Sequence, residues 1–125
     1  MSFSRNISLG SLSEPDEIVE LSILYDFYGA LLKEKHREIF EDYIWNNLSL
    51  GEIAKDRQIT RQGVYDIVRR CRIRLLEYEE SLRLVYKFEQ TKQRLKKIQE
   101  TVKKAGVPKL SEEIAKLAEE IYDLI

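Results

Sequence analysis

One cysteine, one histidine, two prolines and five glycines in 125 residues leave little material for several kinds of chemistry. A lone cysteine, Cys71, cannot build a disulfide framework within the chain, which fits a reducing cytoplasm. The one histidine, His36, has no cysteine or carboxylate at a spacing that marks a metal site, so no metal is expected and His36 reads as a surface residue. Neither GxxxxGK[ST] nor GxGxxG occurs, so no nucleotide-cradling loop and no cofactor are expected. No apolar run approaches the roughly 20 residues of a membrane span. The N-terminal MSFSRNISLGSLS lacks both the basic start and the continuous apolar core of a secretory signal. Acidic pairs are plentiful but read as solvated helix faces. Cys71, despite Arg69, Arg70 and Arg72 beside it, reads as a packed thiol. An enzyme, a small-molecule substrate and a membrane partner are therefore not expected.

Scarcity of turn residues together with 43% hydrophobic and 34% charged residues describes an all-α chain. Its length suits one domain with an extension. The net charge is −1, yet its distribution is uneven. Residues 1–48 carry four basic and nine acidic side chains, residues 49–76 seven basic and three acidic, and residues 77–125 ten of each. Positive charge is concentrated on one short segment, as local attraction to a polyanion requires.

That segment, LSLGEIAKDRQITRQGVYDIVRRCRIR from Leu48 to Arg74, contains two helix starts. Ser49 with Glu52 three residues on is a capping box, and Leu48 and Ile53 stand where a hydrophobic staple closes over it. Leu50, Ile53 and Ala54 share a face; Thr60 is a second N-cap, followed by Val64, Ile67, Val68, Cys71 and Leu75 at helical spacing. Small Ala54 permits a close crossing, and Ile59 is expected to plug the turn. This is the pattern of a helix-turn-helix. With Val64, Val68 and Cys71 inward, Gln62, Asp66 and Arg69 point outward and Arg61 and Tyr65 flank them. Arg and Gln on such a face can bond base edges in a major groove, and Thr60 with the free first-turn amides can hold a phosphate. Asp66 opposes phosphates unless it accepts a bond from a cytosine amino group.

Around this core, a helix is expected from Ser13–Pro15 to about Leu32, apolar over a wide arc through Ile18, Leu21, Leu24, Tyr25, Phe27, Tyr28, Leu31 and Leu32. A second runs from Glu34 to about Asn46, with Ile39, Phe40, Tyr43 and Ile44 inward and Trp45 either at the core edge or an exposed anchor, the core edge favoured. No breaker separates Thr60 from Ala105, so the helix that begins at Thr60 is expected to continue, bent or broken near Glu79–Ser81. Cys71, Leu75, Tyr78, Leu82 and Val85, then Phe88, Leu95, Ile98 and Val102, form a seam that must fold back or pair with another subunit. Gly106 and Pro108 break it, and Ser111 is read as the cap of a last helix with a stripe of Ile114, Leu117, Ala118, Ile121 and Leu124. The expected organisation is a leader over residues 1–13, a helical domain over 14–105 with the helix-turn-helix at 49–76, and an amphipathic helix over 106–125 packed on the domain or on a partner subunit.

Leu24-Tyr-Asp-Phe-Tyr-Gly-Ala-Leu-Leu32, Tyr43, Leu48-Ser-Leu-Gly-Glu-Ile-Ala54, Thr60-Arg-Gln-Gly-Val-Tyr-Asp66 and Leu75-Leu-Glu-Tyr-Glu79 together resemble the bacterial YlxM family over roughly residues 20–90. These are small helix-turn-helix proteins similar to region 4 of sigma factors, typically encoded beside the signal recognition particle GTPase. The resemblance implies a wingless trihelical unit with a long C-terminal helix extension. It also implies a cytoplasmic regulator or accessory factor of the signal recognition particle pathway. The chain departs from the pattern in the turn, where Arg57-Gln58 replaces an apolar residue and Gly or Asn, at Glu34 in place of a hydroxyl cap, and at Gly63 in place of Ala.

Two functions follow as expectations. In the first, Ser49, Lys55, Thr60, Arg61, Gln62, Tyr65, Asp66, Arg69 and Arg72 contact DNA or signal recognition particle RNA. In the second, the fold is an adaptor that binds the signal recognition particle GTPase without reading bases. A homodimer suits both. Ion pairs tying Lys55, Arg61 and Arg69 to the acidic first third of the chain would favour the adaptor.

Overall fold

A computed structural model describes residues 15–125; Ser13 and the expected leader lie outside the described residues. Among those residues there are six α-helices, a 3-10 turn and no strand: α1 (Pro15–Tyr28), the turn Gly29–Leu31, α2 (Glu34–Ile44), α3 (Leu50–Arg57), α4 (Arg61–Leu82), α5 (Leu84–Lys104) and α6 (Pro108–Leu124). They form two compact units that divide between Val85 and Tyr86.

In the first unit α4 is the element that α1, α2 and α3 all pack against. Its Val64, Val68, Cys71 and Leu75 lie at spacings of three and four and are buried with Leu21, Leu24 and Tyr28 of α1, Ile39 and Phe40 of α2, and Ile53 and Ala54 of α3. Each large apolar side chain so buried contributes about 1.5–3 kcal/mol. The wide apolar arc expected on α1 is present because α1 has core on more than one side. Its end differs from expectation: the chain tightens at Gly29, where a Cβ would lie 2.8 Å from the Tyr25 ring. Leu31 is then turned 57% into solvent. Trp45 packs edge-on against Tyr25 at 5.1 Å between ring centroids, yet more than half of it is exposed.

The helix from Thr60 does stop, at Arg83 rather than Glu79–Ser81. Arg83 takes a left-handed conformation, φ 53°, and donates its amide to the Glu79 carbonyl. The stop is held from inside. The Tyr28 hydroxyl donates to Glu79 Oε1 (2.5 Å) and accepts from the Leu84 amide (2.9 Å), while the same Glu79 oxygen accepts from the Val85 amide (3.0 Å). Two first-turn amides of α5, which have no intrahelical acceptor, are thereby satisfied by side chains of α1 and α4. The seam read across this point is therefore two separate stripes: Val85 is buried, whereas Leu82 is 45% exposed.

The second unit is an antiparallel hairpin of α5, from Tyr86 on, and α6. Leu95 and Ala118 are its buried residues, and the Tyr122 hydroxyl donates to the Lys92 carbonyl at 3.4 Å. Gly106, at φ 72°, ends α5 as a left-handed stop should. The last helix begins earlier than the Ser111 cap predicts. Pro108 is its first residue, where a missing N–H costs nothing, and the Ser111 amide is already bonded to the Val107 carbonyl. Among the described residues no helix is long and apolar enough to cross a membrane.

Candidate nucleic-acid interface

Both helix starts of the helix-turn-helix form as their sequences dictate. Ser49 Oγ accepts from the Glu52 amide and Glu52 Oε1 accepts from the Ser49 amide, each at 3.1 Å, so the capping box is closed. Those bonds, backbone first, hold the Glu52 carboxyl below its ordinary range. Thr60 Oγ1 accepts from the Gly63 amide at 2.9 Å. A Cβ at Gly63 would stand 3.1 Å from that same oxygen, so the glycine gives the cap room. The turn between the helices closes on Gln58 at φ 57°, whose amide donates to the Ala54 carbonyl. A non-glycine residue there costs on the order of 1 kcal/mol. Ile59 only partly plugs the turn and is 39% exposed.

These caps set the rotation of α4 and hence its outer face. Arg61, Gln62, Asp66 and Arg69 are exposed on it, with Thr60 at its start and Ser49 and Lys55 exposed on the flank contributed by α3. Tyr65 is half-buried and packs on the core, leaving one edge outward. Gln62 Nε2 donates to Asp66 Oδ1 at 3.1 Å, so the carboxylate that opposes phosphates is already engaged by its neighbour on the same face.

Cations sort into two groups. Arg57 is bound by Glu38 (3.1 Å) and Asp42 (3.0 Å), and those carboxylates, Asp42 first, raise its pKa further. Among the described residues no ion pair engages Lys55, Arg61 or Arg69. Of the acidic first third of the chain, Glu38 and Asp42 neutralise Arg57, and no described acid closes on the expected reading cations.

Arg72 corrects the expectation. It is wholly buried and ion-paired with Glu17 of α1, which is itself buried, so it holds α4 to α1 and cannot contact nucleic acid. The reason is geometric: eight residues after Val64, Arg72 falls 80° round the helix, on the flank covered by α1. Hydrophobic periodicity gives no sign of this, because it counts an arginine as outward. Beside the pair, the buried Tyr43 hydroxyl has its pKa pushed up to about 12, by burial first and then by the Glu17 charge. Cys71 is the packed thiol expected, its pKa pushed up to about 11 by burial.

A second concave surface escaped sequence reasoning. A groove of about 480 Å³ runs between the start of α2 and the middle of α4, with Lys33, His36, Arg70 and Arg74 in its lining. The one visible hint was the spacing of Arg70 and Arg74, four residues apart and so on one side of α4. Nothing local in the sequence says that α2 begins opposite them. Among the described residues no cluster of His, Cys, Asp and Glu is placed to hold a metal ion.

Comparison with known proteins agrees with the fold. A family described as "Putative helix-turn-helix protein, YlxM / p13 like" (UPF0122) matches residues 16–117. The chain is 48% identical over 87 residues to a UPF0122 protein of Caldanaerobacter subterraneus subsp. tengcongensis, covering 70% of this chain and 74% of that one. It is 43% identical over 106 residues to one from Thermoanaerobacter sp. strain X514, covering 85% and 91%. A third, from Halalkalibacterium halodurans, is 40% identical over 109 residues, covering 87% and 97%. With its two capped helices, its open cationic face and matches over most of its length, the chain belongs to the UPF0122 family of YlxM/p13-like helix-turn-helix proteins.

Proposed function

We propose that this protein is a cytoplasmic nucleic-acid-binding regulator or accessory factor of the signal recognition particle pathway, and that it binds through the outer face of α4. One observation carries the reading: among the described residues no ion pair engages Lys55, Arg61 or Arg69 on the exposed surface, although acidic side chains nearby have captured Arg57. Arg61 and Arg69, with Gln62 between them, have the donors that read guanine and adenine edges. Thr60, Ser49 and Lys55 flank that face as phosphate contacts, and Tyr65 offers its outer edge. Asp66, bonded to Gln62, holds that amide in one orientation. A helix presented in this way suits the B-form major groove better than the narrow A-form one, which favours duplex DNA over paired regions of signal recognition particle RNA.

The test is fluorescence anisotropy with labelled duplex DNA from the protein's own operon and with signal recognition particle RNA, at two salt concentrations. Arg69→Ala is expected to weaken binding and to reduce the salt slope by about one. Equal binding by wild type and variant at both salts would remove α4 as the contact surface.

A second reading has an observation of its own. The α6 face formed by Leu110, Leu117, Ile121 and Leu124 is open, with Leu117 53% and Leu124 85% exposed. A second copy of this chain suits it: α5 carries seven Lys or Arg against two Glu, and α6 carries five acids against two Lys, so hairpins from two copies can set unlike helices together. The adaptor alternative assigns the same face to the signal recognition particle GTPase. Binding of that GTPase by a variant blind to nucleic acid would support it.

A further inference from the structure

We propose that the groove between the start of α2 and the middle of α4 is a nucleotide site, taking a phosphate on Lys33, Arg70 and Arg74 and a base against Leu31, Ile73 and Tyr78. It lies apart from the reading face of α4 and does not rest on that face binding anything. Arg70 and Arg74 are exposed, one turn apart on α4, and Lys33 is the residue that caps α2. Among the described residues no ion pair engages any of the three, although acidic residues outnumber basic ones in the chain as a whole. Three unpaired cations converging on one concavity repel one another, and a phosphate between them relieves that repulsion. Lys33 provides no side-chain cap, so the first amides of α2 have neither an intrahelical nor a capping acceptor.

The rest of the lining suits a base rather than a bare anion. Leu31 is 57% exposed although its neighbour Leu32 is buried, and Ile73 and the Tyr78 ring are partly exposed beside it. The Tyr78 ring packs at a 35° tilt against Tyr28, 5.9 Å between centroids, and can serve as a platform for a base. Glu77 is the one acid in the lining. It stands three residues beyond Arg74 and seven beyond Arg70, about 4.5 and 10 Å along the helix, on the side of Arg74 away from Arg70, where it can accept from the exocyclic amino group of a base whose phosphate sits on those two arginines. Uracil has no such amino group, so adenine is favoured over it.

His36 supplies the signature of occupancy. Its imidazole is held below the ordinary histidine range by burial and then by the charges of Lys33 and Arg70. Arg74, Glu77 and the buried thiol of Cys71 complete the titratable and charged lining around it. A phosphate among those cations cancels their repulsion of an imidazolium, so binding takes up a proton and tightens on acidification.

The experiment is isothermal titration of the full chain with adenosine monophosphate, a five-residue oligoadenylate and a five-residue oligouridylate at low salt and pH 7.5. The oligoadenylate is repeated at pH 5.5, where phosphodiester charge is unchanged. Oligoadenylate is expected to bind more tightly than oligouridylate and severalfold more tightly at pH 5.5. Arg70→Ala with Arg74→Ala is expected to weaken it by about tenfold or more, and His36→Gln to abolish the pH effect. Arg69→Ala, outside the groove, should leave it unchanged. Binding of the monophosphate as well identifies a site for free nucleotides; binding of the oligomer alone identifies a single-strand contact. The proposal is overturned if no probe binds, if the double variant binds like wild type, or if Arg69→Ala rather than the groove variant loses binding. Duplex binding through Arg69 stands or falls separately.

Discussion

At the scale of single residues, the positions that depart from the family pattern have local physical consequences. Gln58 holds a left-handed backbone conformation at the helix-turn-helix turn while its side chain is in solvent. Glycine adopts that conformation without the Cβ penalty, so Gln58→Gly is expected to raise the unfolding free energy by roughly 0.5–1 kcal/mol. Urea denaturation checks this; a loss of stability would mean that the Gln58 side chain makes a compensating contact. His36 acts in the opposite direction as pH falls. Its folded pKa is depressed, so the unfolded chain takes up the proton first as pH drops through about 6.5. Its contribution is harmless above that value, and stability declines below it until the folded imidazole also titrates. Unfolding midpoints at pH 7.5 and 5.5 should therefore differ less in His36→Gln than in wild type. Glu52 does not confuse that comparison, since its depressed pKa keeps it ionised at both values.

Elements are held by the few polar groups that the core encloses. The Tyr28 hydroxyl and Glu79 together close the end of α4 and open α5. Tyr28→Phe removes a donor to a buried carboxylate and an acceptor for the Leu84 amide. It should cost about 1.5–3 kcal/mol, the range for a hydrogen bond to a charged group. Hydrogen exchange should show its effect locally, as lost protection at Leu84 and Val85 ahead of the rest of α4. Uniform loss across the chain would place those amides in the global unfolding unit instead. The same environment pushes the Tyr28 pKa up to about 12, by burial first and then by the bond to Glu79. A raised phenol pKa adds stability that is whole below pH 10 and disappears as pH rises toward 12. Arg72 and Glu17 perform the corresponding service between α4 and α1, and that is why an arginine in the middle of a basic run is structural.

For the whole molecule the exposed apolar face of α6 decides the state of association. Leu117 and Ile121 lie on the exposed face of α6, 53% and 38% accessible, so lysine at both positions is expected to leave helical content unchanged. Under the proposed self-association, light scattering should give wild type near twice the 14.8 kDa chain mass and Leu117→Lys/Ile121→Lys near 14.8 kDa. A wild type that stays monomeric at tens of micromolar would assign the face to a different protein. In a dimer that reads DNA, the two α4 helices must also lie about one duplex turn apart, roughly 34 Å, or a multiple of it.

The sequence by itself determined what local interactions determine. Capping at Ser49 and Thr60, the apolar faces of α2 to α4 and the outward set Arg61, Gln62, Asp66 and Arg69 all follow from spacings of three to four residues and from side chains reaching one turn. The helix-turn-helix was legible for that reason. Only the tertiary structure decided the rest, because partners far apart in the chain decide it. Glu17 draws Arg72 inward across more than fifty residues, and Glu38 and Asp42 claim Arg57 but not Arg61 or Arg69. Tyr28 and Glu79 place the helix break two residues beyond the Glu79–Ser81 window in which it was expected. Lys33 and His36 meet Arg70 and Arg74 only because α2 begins where α4 passes. Periodicity assigns a residue to a face of its own helix; which charges are neutralised and which remain for a ligand depends on what that face meets.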